Sequence, residues 1–422
     1  MAPATASAET PAGSLDPSFG DGGIAQLGFS TASLNDAAAY SAGPNRGKIV
    51  VVGGGSRGPG TPSGIVLARF DSNGTLDQGF GTGGVVVSPN GVNAEAVQVA
   101  LDSLGRIAVR TADSRIARFT ADGTLDDGGG APGAGFGGCG CGFAQPSGHP
   151  VTSIAVTPDD EIAYAASAAG ASGQSLAFVG RLRDDGGARW ERQISLNANP
   201  GVVDDQTNNN ATGVTVDPGG DLVVGGWFGD PLSPRDGAVE LHSDGSFNDS
   251  FGVGGGQSFD ISGTAQFAQT TAVALDSEGR VLLAGSQNNS GGECSSWVTR
   301  VTAAGDLDAS FAGSGTHRFG FDHVYEIAAD AENRILGSGN VDCHEMYSVD
   351  LGVLRLTADG VPDEAFGLPD FGPGRGQVTQ DKPVNNVGRG MAVTDDGVDI
   401  VGQVNQSPVV VRFLSEPMPD PP

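Results

Sequence analysis

Histidines, carboxylates, cysteines and glycine-rich loops are the residues of this chain that could do chemistry, and most stand in spacings that argue against it. Three of the five histidines, His149, His323 and His344, could share one face of a repeating fold, where a metal or general base would draw on them. His323 and His344 belong to one repeat unit and His149 to another well upstream, so a common shell would need long loops folding inward. Asp71-x-Asn73-Gly74-x-x-Asp77 has a passing likeness to a calcium loop, yet Thr82 stands where such a loop needs its last Glu, and the phrase recurs along the chain. The run Gly53-Gly54-Gly55-Ser56-Arg57-Gly58 satisfies both a dinucleotide-binding and a nucleophile-elbow spacing. With 70 glycines in 422 residues such matches arise by chance, and no helix follows to present a phosphate or a nucleophile. Cys139 and Cys141 form a Cys-Gly-Cys that is either a disulfide or half of a metal site, but no second pair or nearby His completes a zinc pattern. No cofactor is therefore expected, with a divalent metal such as calcium as the alternative.

The element that must position any such residues is a phrase returning about every sixty residues. Gly74-Thr75-Leu76-Asp77-Gln78-Gly79-Phe80-Gly81 has close copies starting at Gly13, Gly245 and Gly305 and looser ones at Gly123, Gly360 and Gly186, seven in all. A second pattern, an alternating strand, a polar turn that reads Asp-x-x-Gly in its clearest copies and a returning apolar strand, also occurs seven times. The unit from Thr271 shows both. Strands are read at Thr271 to Leu275, Arg280 to Gly285, Trp297 to Thr302 and Thr316 to Phe319. A unit this short cannot bury its own apolar face and must stack on its neighbours. Two hairpins per unit make a four-stranded blade, and the expected fold is an all-β, seven-bladed β-propeller.

The chain ends bear on closure. The last unit runs through its third strand, Pro408 to Phe413, and stops before the phrase, whereas the N-terminal region begins with the phrase and a strand at Ile24 to Phe29. Pairing the two would close the ring and satisfy open edges. The expected layout is a flexible leader over residues 1–12, one propeller over 13–414 and a Pro-rich tail over 415–422.

Composition narrows the partners. Fifty acidic against 22 basic residues give a net charge of −28, which repels phosphate backbones, so nucleic acid is not expected. No apolar run approaches the roughly 18 residues of a membrane span. The polar, Ala-rich start carries no hydrophobic signal core; together with the acidity it fits an exported domain that is secreted, periplasmic or at the cell surface, its signal peptide not present in this chain. Cys294 and Cys343 fall in matching loops of consecutive units, where stacking would set them side by side, and a disulfide fits an oxidising compartment. A monomer is expected.

The N-G-x-L-D-x-x-F-G-x-G-G core, the following x-V-A-x-D-x-x-G-R strand pair and the R-F/L-x-x-D-G third strand resemble the bacterial delta-sixty repeat, and the blade order is similar to NHL-type propellers. The resemblance covers nearly the whole chain and is weakest at Gly186, where Leu-Asp-x-x-Phe is missing. It implies an exported or surface-associated protein whose first strands line a central channel. It carries no active-site residues to transfer.

Because the phrase repeats in nearly every blade, its role is structural: Asn/Asp-Gly makes a hairpin turn while Leu76 and Phe80 wedge between blades. Function is then sought on the opposite face, where the sequence does not repeat. Asn93, His149, Asn210, Trp227, Gln269, His323, Tyr325, Asn386 and Arg389 are the candidate ligand-binding residues there, amides and aromatics that suit sugar hydroxyls or peptide backbone. A binding or scaffolding module for a glycan, peptide or surface partner is the expected function. The alternative is a propeller-type lactonase, lyase or hydrolase with a polar site at the channel mouth, with or without a divalent metal.

Overall fold

The computed structural model describes residues 10–28, 32–56, 63–88, 94–130, 134–138, 140–146, 148–197, 200–201, 207–230, 233–260, 269–288, 294–341, 350–367, 377–380, 387–404 and 407–418. These form seven four-stranded antiparallel sheets arranged as the blades of a β-propeller. Blades 1 to 6 are built consecutively from residues 33–87, 96–144, 151–194, 208–259, 269–319 and 323–380. Blade 7 takes three strands from residues 387–414 and its outermost strand from Ile24–Gln26. Ile24 pairs with Val411 and Gln26 with Val409, so the first strand of the chain closes the ring as its sequence foretold, though it ends at Gln26 rather than Phe29. Thr10 and Met418 also exchange backbone hydrogen bonds of 2.9 Å, and Ala12 is fully buried, so ordered contacts reach beyond residues 13–414.

The repeated phrase explains how the blades are held together. Asp77 accepts the Gly79 N–H at 2.9 Å with one oxygen and Arg69 Nε and Lys48 Nζ, both at 2.7 Å, with the other. Burial alone would raise its pKa, but the bonds from Lys48, the Gly79 N–H and Arg69 outweigh that and hold it at about 2. The Arg69 guanidinium lies 4.6 Å over the fully buried Phe80 ring and reaches Ala121 O in blade 2 at 2.6 Å. Gly81 N–H meets Asp122 O of the same neighbour at 3.0 Å. Gly123, at φ +86°, must be glycine, because a Cβ there would stand 2.8 Å from the Phe80 ring. Arg118 with Phe136, Arg300 with Phe311 and Arg355 with Phe366 repeat the stack.

The same unit spans the closure. Arg412, in the last strand, covers Phe19 at 4.2 Å and donates to Ser72 O of blade 1 at 2.6 Å, so the N-terminal phrase serves blade 7. Two copies depart from the pattern in compensating ways. Blade 4 replaces the Arg–Asp pair with Glu240 and Asn248, bonded at 2.9 Å. In the weak copy at Gly186, Trp190 stands in for the missing Phe: its Nε1 donates to Ser243 O at 3.1 Å, and a Cβ on Gly245 would be 2.9 Å from its ring.

Candidate functional site on the propeller axis

The innermost strands, Ser33–Ala39, Ala96–Leu101, Val151–Val156, Asn208–Val216, Gln269–Leu275, His323–Ala329 and Val387–Val393, touch one another in order around the ring. Each carries a β-bulge at the same register, where pairing to the second strand skips one residue. The extra residues are Asn35, Val97, Thr152, Thr212, Thr271, Tyr325 and Arg389. A bulge bends its strand and re-aims a side chain, and all seven line one axial cavity of about 350 Å³.

The residue after each bulge completes the site. In four blades its side chain accepts the N–H that follows the next blade's bulge. Asp36 takes Val99 N–H at 2.7 Å, Gln98 takes Ile154 N–H at 2.9 Å, Ser153 takes Val214 N–H at 3.2 Å and Glu326 takes Met391 N–H at 2.5 Å. The other three blades have Gly213, Ala272 and Gly390 there, which offer no acceptor. Gly390 is required by crowding: a Cβ would lie 2.6 Å from Asp36 Oδ1. With no side chain at that position, Glu326 of blade 6 reaches past blade 7 and hydrogen-bonds Asp36 of blade 1.

Two carboxyls from different blades thus share a site facing the cavity. Burial pushes Asp36 up to about 7, against hydrogen bonds from Val99 and Ala37. Burial and then the charge of Asp36 raise Glu326 well above the usual carboxyl range. Two adjacent carboxylates cannot both ionise cheaply, so the pair holds a proton near neutrality. Arg110, on the second strand of blade 2 beside Gln98, lines the same cavity. Its Nε is buried with no hydrogen-bond partner among the described residues; burial lowers its pKa, and the charge of Asp36 opposes that.

A pH dependence follows. Asp36 binds its proton more tightly folded than unfolded, so between the ordinary 3.8 and about 7 the native state carries more protons and stability falls as pH rises. Buried Asp236, raised to about 7, and Asp399, raised to about 6, both chiefly by burial, add to the same slope. Asp36→Asn is expected to flatten part of the fall in melting temperature between pH 5 and pH 8. An unchanged slope would mean that Asp36 titrates normally.

Of the candidates from sequence, Tyr325 and Arg389 are bulge residues in the cavity wall. Arg389 donates to Asn35 Oδ1 at 2.8 Å, and the Tyr325 hydroxyl accepts Asn340 Nδ2 at 2.9 Å. His323 packs its ring 4.5 Å from Tyr325, and burial lowers its pKa. Asn210 and Trp227 are paired across the first two strands of blade 4, and Gln269 opens the first strand of blade 5. His149 is drawn off the axis: it stacks 3.9 Å from Phe178 and bonds Glu191 at 3.1 Å, over the third and fourth strands of blade 3. Asn93, Asn386 and His344 lie outside the described residues. So do Cys139, Cys343 and the Cys294 side chain, while Cys141 is disulfide-bonded. Among the described residues no group of three or more His, Cys, Asp or Glu is arranged to hold a metal ion. Asp36, Glu326 and Arg110 escaped sequence reasoning. Aligning the seven first strands puts Asp36 and Glu326 in one column with Gln98, Ser153, Gly213, Ala272 and Gly390, and two acids in an inward-facing column were the available sign.

Fold and site together define a seven-bladed β-propeller with a polar, ionisable cavity on its axis. The family model described as a domain of unknown function (DUF5122) beta-propeller matches residues 47–80 and 110–128, which supports a β-propeller family. No curated protein matches significantly. Among solved structures, "YCF48 bound to D1 peptide" is 10% identical, with 93% of this chain and 96% of that one covered and a TM-score of 0.48. PorZ, an essential bacterial surface component of the type-IX secretion system of Porphyromonas gingivalis, is 13% identical over 86% of this chain and 45% of its own, at 0.40. A gluconolactonase of Xanthomonas campestris is 13% identical over 75% and 84%, at 0.36. Among the described residues no helix is long and apolar enough to cross a membrane.

Proposed function

We propose that this protein is an exported binding module that holds a glycan, or a polar segment of a surface partner, at the axial cavity and the loops around its mouth. One observation carries the reading: every blade turns a bulged residue into a single cavity of about 350 Å³, a size suited to one sugar unit. Amide, hydroxyl and guanidinium groups dominate its rim, as hydrogen bonding to hydroxyls requires. The disulfide at Cys141 and the net charge of −28 support an exported setting, and membership of the delta-sixty repeat family with NHL-like blades belongs to the same proposal.

The Asp36–Glu326 pair favours a second reading, a propeller-type enzyme in which the protonated carboxyl is the acid and the ionised one the base. A glycan array followed by calorimetry on wild type and Thr212→Phe, which projects a ring into the cavity, tests the first. The expected result is binding that weakens by about tenfold or more in the variant, with the melting temperature little changed. Undiminished binding would move the site to the outer loops, and turnover of a bound glycan, lost in Asp36→Asn while binding persists, would favour the enzyme.

A further inference from the structure

The binding reading leaves the class of sugar open, and cavity groups without partners among the described residues narrow it. The inter-blade bonds of the inner ring form a series: Val99, Ile154, Val214 and Met391 each give their N–H to the side chain that follows the previous blade's bulge. The same N–H on Ala37 is taken by Asp36 Oδ1 at 2.8 Å. Val273 and Ile327 occupy that register in blades 5 and 6, opposite Gly213 and Ala272, which carry no acceptor. An ideal Cβ on Gly213 would stand 3.4 Å from Val273 N, so the missing side chain leaves that donor without the acceptor its counterparts have. Both residues line the cavity. Across the ring, in blade 2, the cavity is lined by Arg110, whose buried Nε has no partner among the described residues. The half-buried Arg110 feels the charge of Asp36 but makes no hydrogen bond to it among the described residues, and a carboxylate satisfies a guanidinium's planar fork with two parallel bonds.

We propose that the axial site takes a carboxylate-bearing sugar, a uronic acid unit, which spans the channel with its carboxylate on Arg110 and its acceptor oxygens on the N–H groups of Val273 and Ile327. The Asp36–Glu326 pair receives a hydroxyl on the same ring. A neutral sugar offers Arg110 no charge beyond that of Asp36, and a cationic ligand meets the guanidinium as a like charge. This inference rests on the binding reading above.

Calorimetry with glucuronate and glucose near pH 7 tests it. Glucuronate is expected to bind at least about tenfold more tightly than glucose. Arg110→Gln should erase that preference, and Arg110→Lys should restore part of it, which separates lost charge from lost fold. Ala272→Ser supplies for Ile327 the acceptor that Ser153 supplies for Val214; it should weaken both sugars to a similar degree and leave the melting temperature near that of wild type. Equal affinity for the two sugars, or a glucuronate preference that survives Arg110→Gln, would overturn the proposal while leaving a glycan-binding propeller standing. Failure of both sugars, together with a blank glycan array, would overturn both.

Discussion

Removing residues 1–30 is expected to destabilise the protein by more than about 5 kcal/mol, far beyond the effect of removing the tail after Ser415. The deletion strips the outermost strand from blade 7 and takes away Ala12, Phe19, Ala25 and Leu27, all buried. It also uncovers Arg412, which pairs with Asp399 at 2.8 Å in the interior and depends on the Phe19 ring above it. Two links to the neighbouring blades go with it, Gly20 N–H to Asn73 O at 2.8 Å and Gly367 N–H to Ala12 O at 3.1 Å. The tail deletion loses the Thr10–Met418 pairing and the exposed Arg334–Glu416 ion pair, together worth about 1–2 kcal/mol. Denaturant unfolding of the two truncations compares them directly. Equal midpoints would mean that the ring does not depend on the N-terminal strand.

Phe80→Ala is the second large effect, a loss of about 3–5 kcal/mol for a buried aromatic truncation. The ring is fully buried, lies under the Arg69 guanidinium and packs on Gly123 of the next blade, so its removal opens a void at an interface that the other blades repeat. Gly123 cannot fill the gap, since its φ of +86° admits larger side chains only at the cost of strain. A loss within about 0.5 kcal/mol, the range typical of surface substitutions, would show that the phrase does not wedge the blades apart.

Much of the architecture was legible because the information repeats. Seven copies of one phrase and seven hairpins between first and second strands fix the blade count, and the displaced copy at Gly13 fixes the closure through Ile24 and Val411. Even the defective copy at Gly186 keeps its role, because Trp190 approaches the next blade's glycine from a different position. The site was harder to read. A bulge adds one residue to one strand and leaves no signature of residue type, so Asn35, Val97 and Thr152 look like ordinary strand residues. Tyr325 and Arg389 were reached because loop geometry carries first-strand entries towards the axis. The same geometry misplaced His149, whose stacking on Phe178 cannot be seen from spacing. Asp36 and Glu326 lie far apart in sequence and meet because Gly390 leaves room between them.

The repeated phrase holds the blades, and the axial cavity is the proposed ligand site. Backbone amide shifts of isotopically labelled protein, followed while the strongest-binding glycan is titrated in, test that division most directly. Perturbed amides are expected at Val273, Ile327 and the bulge residues around the axis, with the Asp77–Gly84 turn and its copies unmoved. Shifts confined to those turns or to the outer strands, with a silent axis, would contradict it.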